Sequence, residues 1–227
     1  MTMGRGLLAA VIMALCAGGI AGSFLLDAPV REAVVKAQGK KWKKGPEARF
    51  HGVVRKYGDW PFLMLAGALG FGVAWRLGNR RWMRIVAAAL LASTAAGAIA
   101  NVSRLTTGRT RPRSSPEVAQ GFYGPWHDGR LLIGDSKYNA FPSGHAATAF
   151  GFAWPILFGC PPAGALALAL AALVAWSSLA IGAHHPSDLM VSFLLSFLVA
   201  LGVWRFLIAR GDRLAARFSS LVGRRKT

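Results

Sequence analysis

The sequence predicts an all-α protein, a bundle of six transmembrane helices, and two observations carry this prediction. First, 54% of the 227 residues are hydrophobic and only 16% are charged, whereas about 25% are charged in an average soluble domain. Second, the charges come in blocks, separated by apolar stretches close to the roughly 20 residues that cross a bilayer as a helix. A soluble globule and a disordered chain are therefore both excluded.

Six apolar segments define the expected helices of a single domain that covers 1–227. Backbone groups find no water in lipid, so each segment must satisfy its own hydrogen bonds as a helix. Tryptophans at the ends of several segments are typical of the interfacial belt of a membrane protein. The expected spans are 7–26, 60–75, 85–102, 145–160, 163–183 and 189–204, followed by a basic tail, 205–227.

The first segment has an alternative interpretation as a cleaved signal peptide, because Arg5 precedes it and small residues lie towards its end. Its apolar length of roughly 20 residues exceeds the signal core of about 7–15 residues, which favours a retained helix. Six spans then place both termini on one side of the membrane, opposite the loop between the third and fourth spans.

The net charge of +18 comes from 27 Lys and Arg against nine Asp and Glu. A basic soluble protein would suggest a nucleic-acid binder. Here the cations lie at membrane edges without interleaved exposed aromatic residues, so nucleic acid is not an expected partner. Basic segments beside membrane spans bind anionic headgroups, so membrane lipids are the expected partners.

The orientation in the membrane depends on the basic residues of the third loop, which connects the third and fourth spans. When they are included, both sides carry similar numbers of basic residues and the positive-inside rule does not decide. If they serve a binding site, they are omitted from this comparison, and cytoplasmic termini are preferred. The expected location is then the bacterial inner membrane, with the third loop facing away from the cytoplasm.

The first polar motif leaves the third span and contains Arg104, Arg109, Arg111, Pro112 and Arg113. Guanidinium groups bind phosphate oxygens in a bidentate manner. Arg104 and Arg111 are seven residues apart and would share one side of a helix. A positive patch that only flanks a membrane span is the alternative interpretation.

The second motif is Pro-Ser-Gly-His at 142–145, immediately before the fourth span. Ser143 is a suitable N-cap, and Gly144 allows a ligand to approach the backbone closely. The free N–H groups of such a helix N-terminus bind anions, and His145 could donate a proton to a leaving group. An ordinary cap with an interfacial histidine is the alternative.

The third motif precedes the sixth span and contains His184, His185, Pro186 and Asp188. Pro186 suits the first position of a helix, from which Asp188 could reach back to His184 and determine its tautomer. His184 is thus the candidate nucleophile, and His185 is expected at the rim. No histidine spacing of a known metal site occurs, so we expect no metal ion and no cofactor.

Together the three motifs resemble the type 2 phosphatidic acid phosphatase family, which shares its core with the vanadium haloperoxidases. The family signature is Lys-x6-Arg-Pro, then Pro-Ser-Gly-His, then Ser-Arg-x5-His-x3-Asp. Arg104 takes the Lys position and Arg111-Pro112 follows; 142–145 matches the second motif; Ser177, His184 and Asp188 match the third.

The resemblance implies a metal-independent enzyme that hydrolyses a lipid phosphomonoester or diphosphate through a phosphohistidine intermediate, with its active site at one membrane face. It makes His184 the nucleophile, Asp188 its orienter, and His145 the acid that protonates the leaving alcohol. The implied phosphate-binding residues are Arg104, Arg111, Ser143 and Gly144. Phosphatidic acid, phosphatidylglycerol phosphate, polyprenyl diphosphate and lipid A phosphates are the candidate substrates.

The sequence departs from the signature at two positions. Arg104 replaces Lys and keeps the charge, whereas Ser178 stands where the third motif has Arg. Loss of one preorganised donor can cost about 3 kcal/mol in catalysis, so we expect a compensating cation, with Arg109, Arg113 and Lys137 as candidates. The alternatives are a weakly active or non-catalytic phospholipid-binding relative and a vanadium haloperoxidase.

Overall fold

The computed structural model describes residues 2–37, 45–113 and 119–223, and this part of the chain is mostly helical, as the predicted all-α class requires. It contains eight helices and one short β-hairpin. The helices are α1 (Thr2–Leu25), α2 (Asp27–Ala37), α3 (Pro46–Lys56), α4 (Trp60–Arg76), α5 (Arg80–Thr107), α6 (Gly144–Gly159), α7 (Pro161–Ala180) and α8 (Pro186–Gly223). The hairpin strands β1 (Trp126–His127) and β2 (Arg130–Leu131) pair antiparallel.

The bundle is centred on α6, which packs against α5, α7 and α8. Small residues allow these helices to approach closely. A Cβ atom added at Gly151 of α6 would lie only 2.9 Å from the carbonyl oxygen of Ala92 on α5. Buried serines add hydrogen bonds between helices: Ser93 Oγ donates to the Thr148 carbonyl at 3.0 Å, and Ser196 Oγ to the Ala147 carbonyl at 2.9 Å.

Each of the six predicted spans falls on a helix, but the number of six membrane spans is not confirmed. Four helices of the described residues are long and apolar enough to cross a membrane: Gly6–Leu25, Arg80–Thr107, Pro161–Ala180 and Pro186–Leu207. The other two, α4 and α6, have 17 and 16 residues, short of the roughly 20 that a bilayer requires. Pro155 lies within α6 without ending it.

Large apolar side chains on α1, α4 and α7 point away from the bundle. Examples are Leu15, Leu69, Trp75 and Leu170, all more than half exposed. Exposed apolar surface on this scale marks a face that contacts lipid or another apolar partner. Four long apolar helices together with these exposed apolar faces are consistent with an integral membrane protein.

The polar interval between the first two spans contains two helices, α2 and α3, that the sequence did not predict. α3 packs against α7, and its apolar side buries Val54. Four lysines of this interval, Lys40, Lys41, Lys43 and Lys44, lie outside the described residues, and so do residues 224–227 of the basic tail. Helix α8 continues through the tail to Gly223.

Candidate active site

The three polar motifs meet at one end of the bundle, where α5 ends and where α6 and α8 begin. A polar pocket of about 120 Å³ opens at this end. Its walls come from the start of α4, the last turns of α5 and the first turns of α6. The lining residues are Gly58, Asp59, Trp60, Asn101, Arg104, Gly144, His145 and Thr148.

His184 lies in the turn between α7 and α8, where Gly182 adopts a positive φ of 65° that suits glycine at a helix C-terminus. The ring is buried, and its Nδ1 lies 2.8 Å from the carbonyl oxygen of Ala140. Burial, and next the charge of Arg111, lowers the pKa of His184 well below its ordinary value. A neutral ring that donates from Nδ1 to Ala140 keeps a lone pair on Nε2.

Asp188 is 3.5 Å from Nδ1 of His184, so the shorter contact of that nitrogen is with the backbone of Ala140. The carboxylate is fully buried at the start of α8. Its Oδ2 accepts a hydrogen bond from the His185 backbone N–H at 2.7 Å, and its Oδ1 accepts one from Arg109 Nη1 at 2.5 Å. Asp188 is thus held next to His184 by the backbone and by a cation.

Arg109 forms a second ion pair, with Asp27 at the start of α2. Its guanidinium group also lies over the rings of Phe24, Phe122 and Phe141, at 5.2, 4.6 and 5.5 Å from their centroids. Arg109 is one of the three candidate cations to compensate for Ser178. Its charge is balanced by two carboxylates, and its guanidinium group faces three aromatic rings, which disfavours the binding of a further anion such as phosphate.

Arg104 lies on the last turn of α5, beside the N-terminus of α6. Its Nη2 donates to Asn101 Oδ1, and its Nε is buried with no hydrogen-bond partner in the part of the chain that the structure describes. A Cβ atom added at Gly144 would lie 3.4 Å from Nη1 of Arg104, so the glycine allows this close approach. Ser143 is confirmed as the N-cap of α6, with its Oγ accepting from the Ala146 backbone N–H at 3.4 Å.

Arg111 is held by Asn139, whose Oδ1 accepts hydrogen bonds from Nη2 at 2.7 Å and from Nε at 3.1 Å. Burial, followed by the charges of Arg113, Arg104 and Arg55, lowers the pKa of Arg111 to about 10. Asn139 is a neutral partner, and Asp188 raises the pKa of Arg111 but forms no ion pair with it among the described residues.

The two other expected compensating cations, Arg113 and Lys137, have exposed side chains at the edge of the site. Their backbones connect the third loop to the rest of the site. The Arg113 N–H donates to the Gly182 carbonyl at 3.1 Å, and the Lys137 carbonyl accepts from the Arg111 N–H at 2.9 Å. The positive charge of Arg113 lowers the pKa of both Arg111 and Arg55.

His145 has two neighbours that sequence reasoning missed, Asp59 and Arg55. Asp59 Oδ1 lies 2.7 Å from Nε2 of His145, and Nη2 of Arg55 lies 3.4 Å from both ring nitrogens. A signal for them exists in the sequence. His51 and Arg55 are four residues apart, as expected for side chains on one face of a helix, and Asp59 follows four residues later, just before α4.

Ser178, which replaces the arginine of the third motif, is fully buried. Its Oγ donates to the carbonyl of Val174 in its own helix at 3.0 Å, so the hydroxyl does not enter the site. The neighbouring Ser177 contacts α3 instead, with its Oγ 3.1 Å from Nδ1 of His51.

His185 is buried and not at the rim as expected, and its Nε2 lies 3.1 Å from the Thr110 carbonyl. This contact holds the first motif against the third. Among the described residues, no three His, Cys, Asp or Glu side chains come together as metal ligands. Metal independence of the reaction stays a prediction.

Comparison with known proteins gives two matches. Residues 85–212 match the PAP2 superfamily, and this range contains all three polar motifs. A lipid A 1-phosphatase of Rhizobium johnstonii is 30% identical over 110 residues, which cover 48% of this chain and 39% of that protein. No solved structure gives a significant match.

Proposed function

Because the chain belongs to the PAP2 superfamily, we propose that it is a membrane enzyme that hydrolyses a phosphomonoester or diphosphate of a lipid. One observation carries the proposal: a buried histidine, His184, hydrogen-bonded through Nδ1 to the Ala140 carbonyl, shares a site with arginines that form no ion pair with any described carboxylate. Among the described residues, no acid forms an ion pair with Arg104 or Arg111. A nucleophile beside uncompensated cations suits a phosphoryl group.

In the proposed reaction, Nε2 of His184 attacks phosphorus as the bond to the leaving oxygen breaks. Arg104, Arg111 and the N-terminus of α6 at Ser143 and Gly144 stabilise the negative charge on the phosphoryl oxygens. The product of this step is a phosphohistidine and a lipid alcohol, or a lipid monophosphate when the substrate is a diphosphate.

His145 supplies the proton for the leaving oxygen. Its protonated ring has two N–H groups, of which Nε2–H is held by Asp59, so the other remains for the leaving group. After the lipid leaves, the neutral ring accepts a proton from water as the water oxygen attacks phosphorus. The bond between phosphorus and Nε2 of His184 then breaks, and inorganic phosphate is released.

A lipid substrate is supported by an apolar groove of about 380 Å³ between α3, α4, α6 and α7. Val174 lies in this groove, and a Cβ atom added at Gly58 would lie 2.5 Å from Val174 and 3.2 Å from the His145 carbonyl. The groove therefore begins next to His145. An acyl or prenyl chain in the groove would hold its phosphate at the site.

The proposed enzyme is a single domain, 1–227, with six spans, in which α4 and α6 are short membrane helices. The C-terminal end of α1 supports this arrangement, because it lies at the same end of the bundle as the site, where Phe24 packs against Phe141 and Asp27 of α2 pairs with Arg109. We place the protein in a bacterial inner membrane with the site facing away from the cytoplasm. Cysteine accessibility at Ser136 and at Asn79, on opposite ends of the bundle, tests this orientation.

The deciding experiment measures phosphate release by detergent-solubilised protein from phosphatidic acid, phosphatidylglycerol phosphate, polyprenyl diphosphate and lipid A. Lipid A is included because the Rhizobium relative is a lipid A 1-phosphatase by name. We expect release from at least one lipid, and its loss in His184→Ala but not in His127→Ala, a half-exposed histidine of the hairpin. A phosphorylated protein that is stable in alkali and labile in acid would support the histidine intermediate.

The second candidate function is phospholipid binding without catalysis. It is favoured by Ser178, which replaces a cation of the third motif and whose hydroxyl bonds to its own helix and not to the site. Stoichiometric lipid binding with no turnover on any of the four substrates would support it and contradict the enzyme. Bromide oxidation that requires vanadate and peroxide would instead indicate haloperoxidase chemistry.

A further inference from the structure

We propose that Arg55 of α3 is a third phosphate-binding arginine of this site and supplies the cation that is missing at Ser178. This inference rests on the proposed phosphatase function, because the ligand of Arg55 is the phosphoryl group of the substrate. Arg55 lies outside the three motifs and outside residues 85–212, which match the family.

Arg55 carries one buried N–H donor, at Nε, without an acceptor. Among the described residues, its Nε and that of Arg104 are both buried and unpartnered, and both side chains lie next to the first turn of α6. An unsatisfied buried N–H group costs about 1–3 kcal/mol. The oxygens of one phosphoryl group could accept from both guanidinium groups, which removes this cost when the substrate is bound.

The charge around Arg55 also favours an anion. Burial lowers the pKa of Arg55, and so do the charges of Arg113 and Arg104, whereas Asp59 raises it. Asp59 is paired with His145 and so offsets only part of this charge. Among the described residues, no carboxylate forms an ion pair with Arg55, so a phosphate dianion would complete the site.

The position of Arg55 follows from the packing of α3 on α7. His51 Nδ1 lies 3.1 Å from Ser177 Oγ, which fixes α3 beside the residue that precedes Ser178. Arg55 is one helical turn further along the same face, towards His145. A cation from α3 therefore reaches His145, and the helix that carries it is held against Ser177, the neighbour of Ser178.

The test compares Arg55→Met and Arg55→Lys with Lys56→Met, which removes an exposed cation at the next position. Two quantities are measured on each variant: kcat/KM for the best lipid substrate, and the affinity for inorganic phosphate by equilibrium dialysis. We expect Arg55→Met to lower kcat/KM by about 10²-fold, as for loss of one preorganised donor, and to weaken phosphate binding. Arg55→Lys should recover part of both, and Lys56→Met should change neither.

Phosphate binding separates direct contact from an effect through His145. In a His145→Ala background, Arg55→Met still weakens phosphate binding if Arg55 contacts the anion. Unchanged phosphate affinity in either background, with thermal unfolding in detergent also unchanged, would overturn the proposal. So would a wild-type protein that does not bind phosphate.

The two proposals fail separately. Lipid hydrolysis that requires His184 but is unaffected by Arg55→Met would overturn the role of Arg55 and leave the proposed enzyme intact. Absence of hydrolysis on every lipid would contradict the enzyme, and the dialysis measurement would still decide whether Arg55 binds phosphate.

Discussion

Arg109 and Arg111 are two residues apart in one motif, yet they have opposite surroundings. Arg109 is bound by Asp27 and Asp188 and lies over three aromatic rings. Arg111 is held by the neutral amide of Asn139, with other guanidinium groups nearby. We call the first region the paired centre and the second, with Arg55 and Arg104, the open cluster.

The difference shows that compensation of charge, not the presence of an arginine, determines what each region can do. A buried cation with two carboxylates holds its neighbours in place and has little affinity for a further anion. Asp59 and Asp188 lie near the open cluster but form no ion pair with its arginines among the described residues, and such a concentration of cations favours the binding of a phosphate. The paired centre thus holds Asp188 beside His184, and the open cluster is the proposed binding site for the phosphoryl group.

Breaking the paired centre should have the largest effect on stability. Arg109→Met removes the cation from the buried Asp188 and the partly buried Asp27, and removing one partner of a buried pair costs about 3–5 kcal/mol. We expect a large fall in the thermal unfolding temperature in detergent. Arg109→Lys keeps the charge but cannot hydrogen-bond both carboxylates as the guanidinium group does, so its unfolding temperature should fall by less. Equal unfolding temperatures for wild type and Arg109→Met would contradict the comparison.

The corresponding change in the open cluster should affect activity and not stability. Arg111→Met removes one phosphate donor, which we expect to lower kcat/KM by about 10²- to 10³-fold. The unfolding temperature should stay the same or rise, because repulsion from the neighbouring cations is removed. Arg130→Met, at an exposed arginine of the hairpin, is the control and should leave both quantities unchanged.

A partial change of the paired centre should give an intermediate effect. Asp27→Asn removes one of the two carboxylates on Arg109 and weakens the hydrogen bonds to Ser187. We expect a loss of about 1–3 kcal/mol in the free energy of unfolding. The matched control is Asp135→Asn, which breaks the surface ion pair with Arg130 and should lower the free energy of unfolding by at most about 1 kcal/mol. Similar losses of stability in the two variants would contradict a larger contribution from Asp27.

The smallest expected effect is a shift in the pH profile of phosphohistidine formation. Burial and the charge of Arg111 lower the pKa of His184, Arg55 and Arg104 act in the same direction, and the Ala140 hydrogen bond opposes them. In the proposed mechanism the neutral ring is the nucleophile, so activity should be lost when His184 becomes protonated. Arg111→Met raises the pKa of His184, so the acid limb should move to higher pH; a shift to lower pH would contradict this assignment.

The sequence predicted the helical class and the grouping of the motifs because hydropathy and motif spacing are local properties. It missed α3, since a short polar segment with many charges resembles a solvated loop. It also missed the Ala140 carbonyl as the hydrogen-bond partner of His184, because every residue carries a backbone carbonyl and none is distinguished by its letter. Asp59 and Arg55 had a weak signal in their four-residue spacing, but nothing connected them to His145.

By itself, the sequence determined that the chain is an apolar helical protein with three polar motifs of a phosphatase family. Only the tertiary structure decided which arginines are compensated. Asp27 and Asp188 are 82 and 79 residues away from Arg109 along the chain, and both reach it through the packing of α1, α2 and α8. Electrostatic interactions depend on distance in space and on burial, so residues of one type in one motif acquire different roles on folding.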